Sequence, residues 1–192
     1  SNATTHESAW WKRGMTTNLQ RSNSTTTVPA TFDLQISDFL IQSISNSEKS
    51  VSEINSFFNS ARIKSELHWF THRDTLERAV SRPDRRLFYY GPHGVIIAGL
   101  MVWCESRVLD PLQAQIRLVA VSPDYREYGI GQYLVKKAIE FAKEHDKKYM
   151  IADVAAEAPA VNFWKTIGFH KADSYFTDGG REMFRMERQL SE

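Results

Sequence analysis

The stretch from Val119 to Leu134, VAVSPDYREYGIGQYL, constrains this chain most, because it passes from an apolar strand through a proline turn into a glycine-marked helix. Beyond Gly129 the apolar residues Ile130, Leu134, Ala138 and Phe141 recur at helical spacing, with Val135, Ile139 and Ala142 beside them. Gln132, Lys136, Lys137, Glu140, Lys143 and Glu144 take the other side, so the spacing predicts an amphipathic helix starting near Gly129. The first turn of such a helix leaves N–H groups without partners, and the aligned peptide dipoles add partial positive charge, which together make a phosphate site. Gly129 and Gly131 would let an anion approach the backbone with no Cβ in the way and would permit positive φ. Arg126 adds a fixed charge and a planar donor fork. Two glycines near a helix start also make an ordinary turn, so the flanking segments have to decide.

The rest of the chain alternates strand and helix signals. Phe32, Leu34 and Ile36 alternate with polar residues as a first strand does. Ser50-Val51-Ser52-Glu53 has capping-box form ahead of Ile54, Phe57, Phe58 and Ala61, and Thr71-His72-Arg73-Asp74 starts a second helix that Pro83 closes. Residues 87–90, the turn 91–94 and residues 95–104 read as a hairpin, with residues 113–121 as the next strand. A short apolar strand at 149–154, a helix between Pro159 and Gly168, and a hairpin over 169–190 complete the order β-α-α-β-β-β-α-β-α-β-β. Residues 1–3 have the form of a tag remnant and 4–31 the Ser, Thr and Asn composition of a flexible extension, interrupted by Trp10-Trp11. Residues 32–192 then make one domain.

Composition excludes several classes. A formal charge of +1 without a block of like charges argues against a nucleic-acid surface as partner. The longest apolar run, residues 95–104, is half of what a membrane-spanning helix needs, and the N-terminus has no secretory pattern. Cys104 is the single cysteine, so no intrachain disulfide forms and a reducing, cytoplasmic setting is expected. His68 and His72 stand four apart, but without a third ligand signal no metal is expected.

Arg126-x-x-Gly129-x-Gly131, preceded by Val-Ala-Val-Ser-Pro, resembles the acetyl-CoA-binding motif of the GNAT superfamily of acyl-CoA-dependent N-acyltransferases. Some thirty residues on, Ala160-x-x-Phe163-Trp164-x-x-x-Gly168-Phe169 is similar to that family's second signature. The resemblance spans about residues 87–190 and implies an α/β (α+β) fold with a mixed, mostly antiparallel sheet flanked by helices. It further implies a CoA diphosphate on the amides of Arg126, Glu127, Tyr128, Gly129, Ile130, Gly131 and Gln132. Pantetheine would run strand-like beside Val119, Ala120 and Val121, an N–H near Val121 would polarise the thioester, and Phe163 and Trp164 would line the cofactor or equally pack on the helix face, which is the favoured role for Phe163.

Two departures bear on catalysis. Relatives often place a glutamate on the strand before the glycine loop, where this chain has Gln115 and Arg117. Asp153, within an apolar strand, is therefore the first candidate base, since burial would raise its pKa towards the useful range. Its alternative role is capping a turn or pairing with a basic residue; Glu157 stands second and Glu105 third. Relatives also carry a tyrosine acid where Trp164 stands, and an indole supplies no proton, which leaves Tyr125, Tyr128 and Tyr175 as substitutes. The acceptor site is expected around residues 66–72.

The resulting expectation is direct transfer of acetyl from acetyl-CoA to a primary amine, small-molecule or protein, in a ternary complex. The alternative is an acyl-CoA-binding module with weak or no catalysis. A modifier of charged transfer RNA would require a basic cleft that the composition does not advertise. The acceptor, the acyl chain and pairing into a homodimer are left open.

Overall fold

Apolar residues at every position of a strand demand cover on both faces, and Ala98–Trp103 is such a strand, buried along nearly its whole length. The structure, a computed structural model, describes residues 41–44, 48–67, 71–91 and 94–191. Its strands are β1 (Gln42–Ser43), β2 (Arg85–Tyr90), β3 (Ala98–Trp103), β4 (Gln113–Val121), β5 (Tyr149–Ala155), β6 (His170–Phe176) and β7 (Glu182–Gln189). They form one sheet in the order β1-β2-β3-β4-β5-β7-β6. Every neighbouring pair is antiparallel except β4 with β5.

Five helices among the described residues flank this mixed sheet: α1 (Glu48–Phe58), α2 (Ala61–Leu67), α3 (Arg73–Ser81), α4 (Ile130–Glu144) and α5 (Ala160–Thr166). The apolar stripe of α4 packs on one face, where Leu134, Ala138 and Phe141 meet Leu100, Val102, Ile116, Met150 and Ala152. The other face carries α1 to α3, whose Ile54, Phe58, Ile63 and Leu76 meet Leu87, Met101 and Leu118. That second core includes no residue of β5, β6 or β7. The C-terminal half of the face is therefore not part of an apolar layer.

Two irregularities in β4 position the site. Met101 pairs with Leu118 and Val102 with Ile116, so Arg117 is an extra residue without a counterpart on β3. Such a bulge bends its strand and sharpens the local twist. On the other side, the parallel ladder to β5 joins only Gln113, Ala114 and Gln115 to Tyr149, Met150 and Ile151. Beyond Gln115 the two strands part.

Several expectations need correction. α1 starts at Glu48, so Ser50 falls inside its first turn and does not cap it. A third helix, α2, precedes the β2–β3 hairpin; with seven residues and only Ile63 buried it has no apolar period to read. β3 is shorter than the run 95–104, and β2 begins earlier, at Arg85. The strand expected at Phe32, Leu34 and Ile36, the extension at 1–31 and part of the turn 91–94 lie outside the described residues.

Candidate active site

The parting of β4 from β5 leaves backbone groups of β4 without a sheet partner. Ser122 N–H donates to Ile97 O at 2.7 Å, which fixes the phase of the β3–β4 ladder. Because antiparallel pairs alternate between bonding towards and away from a neighbour, Val119 and Val121 direct their N–H and C=O groups away from β3, into the cleft. Ala120 between them bonds back to β3. A strand-like ligand would thus find two amides of β4 on offer.

At the end of the cleft the chain makes a 3₁₀ turn, Pro123–Tyr125, and curls into α4. Glu127 (φ 71°) and Gly129 (φ 82°) both take left-handed backbone, and such alternation gathers successive N–H groups into an anion-binding concavity. For Glu127 that conformation costs about 1–2 kcal/mol, because its Cβ crowds the following carbonyl. The first helical bond of α4 runs from Tyr133 N–H to Gly129 O, and the N–H groups of Gly129, Ile130, Gly131 and Gln132 find no acceptor among the described residues. These donors fit a diphosphate. Gly131 does a further job that the sequence does not announce. A Cβ there would stand 3.3 Å from Phe163 Cε2 and 3.7 Å from Val121 Cγ2, so its smallness lets α4, α5 and β4 meet.

Arg126 is engaged within the protein. Its Nε donates to Val121 O at 3.1 Å, the cleft-facing carbonyl, and its two terminal nitrogens hold both carboxylate oxygens of Glu66 on α2. A second pair, Arg62 with Asp124 at 3.6 Å, ties the same helix to the same turn. A cavity of about 600 Å³ lies beside α2 with Phe57, Ile63, Ile97, Pro123 and Tyr125 in its wall. Its lining is mainly apolar.

On the helix-free half of the sheet, Gln115, Arg117, Asp153 and Arg185 fall on the face opposite α4, because their strand neighbours Ile116, Ala152, Val154 and Met186 belong to the α4 core. Asp153 Oδ1 accepts from Arg185 Nε at 3.0 Å, and its Oδ2 accepts from Arg185 Nη2 at 3.1 Å and from Tyr175 Oη at 2.9 Å. The Asp153 side chain is only 18% exposed, yet a guanidinium and a phenol cover it. The apolar burial assumed from the sequence is not its environment. Loss of water and the bond to Asp153 push the Tyr175 phenol up to about 12, so it is a hydroxyl donor throughout the physiological range.

The other candidates scatter. Glu157 is exposed and pairs with Arg181 at 2.8 Å, apart from the Asp153 cluster. Glu105 binds the buried Lys147 at 2.9 Å just past β3, alongside the start of β4; the nine residues of β4 put the glycine loop about 30 Å away, which removes it from consideration. Trp164 is 4% exposed and packs edge-on against Phe163 and Phe169 with centroids 5.1 and 4.9 Å away, so it is first of all a core residue. Phe163 is the one of the pair beside the glycine loop. Tyr125 and Tyr128 pack against the main core, and Cys104 is fully buried with its thiol pushed up to about 12 by burial. His72 precedes α3, whereas His68 lies outside the described residues. Glu66 and Arg185 carry long-range pairings at the site and had no signal in sequence, lying 60 and 32 residues from their partners.

Comparison with known proteins agrees with this fold. The sequence profile of the acetyltransferase (GNAT) family matches residues 50–169. A Bacillus subtilis protein provisionally named [ribosomal protein bS18]-alanine N-acetyltransferase is 30% identical over 83 residues, 41% of this chain and 55% of the relative. The chain therefore spans about half the length of that relative. The NatC complex bound to Gag peptide and CoA contains a chain that superposes with a TM-score of 0.65 at 16% identity, covering 79% of this chain and 98% of that one. An aminoglycoside 6'-N-acetyltransferase complexed with coenzyme A gives 0.64 at 10% identity, covering 79% and 97%. At such identities the two structures speak for the fold alone. No helix among the described residues is long and apolar enough to cross a membrane.

Proposed function

The chain belongs to the acetyltransferase (GNAT) family, and from that premise we propose that it transfers acetyl from acetyl-CoA to a primary amine, directly and within a ternary complex. The observation that carries this reading is the cleft between β4 and β5, with strand amides on its wall and unpartnered helical N–H groups at its end. Val119 and Val121 would pair with the amides of pantetheine, and residues 126–132 would hold the diphosphate. Acetyl-CoA supplies a thioester carbonyl and a thiolate whose conjugate acid has a pKa of about 8.5. The Val121 N–H is the donor aimed where charge develops on the carbonyl oxygen. Phe163 flanks the loop.

Asp153 is the carboxylate proposed to receive the acceptor's ammonium and to accept its proton, directly or through water. Arg185 and Tyr175 orient it. Glu157, held by Arg181, is the second candidate. Because both candidate bases, Asp153 and Glu157, are held by arginines, the site suits an amine that needs little help in losing its proton. Holding a lysine-like amine of pKa about 10.4 neutral at pH 7 costs about 4.6 kcal/mol, whereas an α-amine of pKa about 7.7–8.0 costs about 1.0–1.4 kcal/mol. We therefore favour an α-amine, such as the start of a peptide, which agrees with the named activity of the Bacillus subtilis relative. A lone buried cysteine fits a cytoplasmic setting.

The arginine clamp on Asp153 and the burial of Trp164 favour one rival, a CoA-binding protein without turnover. Calorimetry with CoA and a thiol-release assay over peptides, amino acids, polyamines and aminoglycosides separate the two. Micromolar CoA binding with turnover on at least one amine is expected. Binding without turnover on any amine supports the rival, and no binding refutes both.

A further inference from the structure

The helix-free face carries one arginine that no carboxylate neutralises. Arg117, the extra residue of the β4 bulge, is exposed, and its guanidinium lies 4.5 Å from the centre of the Trp103 ring, which also carries Arg85 at 3.6 Å. One of its N–H groups donates from Nη1 to Oε1 of the buried Gln115 at 3.1 Å. The stack and this bond hold the fork in one orientation while leaving most of its five donors unused. Asp153 and Tyr175 lie near enough to favour its charge, but loss of water outweighs them and lowers its pKa. Asp153 itself is committed to Arg185 and Tyr175, and Arg117 forms no ion pair among the described residues.

We infer that Arg117 selects amine acceptors that carry a carboxylate close to the reacting amine, a specificity that rests on the transferase reading above. The Arg185 guanidinium is spent on Asp153, so Arg117 is the cation left to meet an anionic group of the acceptor. A single carboxylate matches that charge and the planar fork. A second ammonium would be repelled by Arg117. The bulge bends β4 at this residue, whose guanidinium stacks on Trp103 of β3.

The test uses two peptides of one sequence that differ only in glutamate or glutamine at the first position, with kcat/KM measured for the wild type, Arg117→Met and Arg117→Lys. The wild type should prefer the glutamate peptide about tenfold, as expected for a charge-assisted pair, and less so as salt rises. Arg117→Met should erase the preference, Arg117→Lys should keep part of it, and all three should bind CoA equally. An equal rate on both peptides in the wild type, or a preference that survives in Arg117→Met, overturns the inference. Calorimetry of the acetylated peptides on the CoA-loaded protein gives a second readout that needs no turnover. Tighter binding of the glutamate form without any turnover would sink the transferase reading and keep only the carboxylate recognition by Arg117, and equal binding would sink that recognition too.

Discussion

Glu66→Gln should tighten CoA binding without unfolding the domain. In the structure both oxygens of Glu66 occupy the terminal nitrogens of Arg126, so a diphosphate seeking that guanidinium competes with a carboxylate already in place. The side chains are 40% and 47% exposed, which sets the pair among solvent-screened ones worth about 0.2–1 kcal/mol. Removing the competitor should therefore lower the CoA Kd by at most about fivefold, since about 1.4 kcal/mol is tenfold. The fold should lose no more than the same kilocalorie. Calorimetry at low salt is the assay, and the gain should shrink as salt is raised, because the screening length falls below about 10 Å above 0.1 M. In an Arg126→Ala background Glu66→Gln should change nothing, which closes a double-mutant cycle. An unchanged or weaker Kd in the single variant, or the same gain without Arg126, refutes the competition.

Four further outcomes follow from the geometry. Gly129→Ala, at φ 82°, should destabilise the fold by about 1–2 kcal/mol and weaken CoA binding, read by denaturant melts and calorimetry; a neutral effect on both would show that the loop does not need its left-handed turn. Asp153→Asn should lower kcat far more than CoA affinity and alter the acid limb of the pH profile, and unchanged kinetics would remove Asp153 from the mechanism. Tyr175 titrates near 12 in the folded protein against 10 in the unfolded one, so its contribution to stability is complete below pH 10 and is lost as the pH rises towards 12. Melts of Tyr175→Phe should lack that component of the alkaline loss. Cys104, buried and titrating near 12, should resist thiol reagents at pH 8 until the protein is denatured, and rapid native labelling would contradict its burial.

What was legible in the sequence was local. The stripe of Ile130, Leu134, Ala138 and Phe141 specifies α4 by its own spacing, and residues 113–121 read as a strand, so the strand, turn and helix around the glycine loop could be read before any coordinate. What escaped depends on partners distant in the chain. No local pattern announces that Glu66 will reach Arg126 or that Arg185 will cover Asp153, because each pairing is created by strand order. The bulge at Arg117 is a matter of register against β3, invisible in either strand alone. Trp164 occupies a position that invites a ligand-facing role, and only the packing of α5 against Phe169 reveals its burial.

The three-residue ladder between β4 and β5 has a mechanical meaning. Three pairs are a thin weld between the N-terminal and C-terminal halves of the sheet, and a molecule lying along the gap would replace the rungs that are missing. Occupancy should then read out far from the loop, as slower amide exchange along β5 and β7. An unchanged exchange rate along β5 and β7 on adding CoA would show that nothing fills the gap.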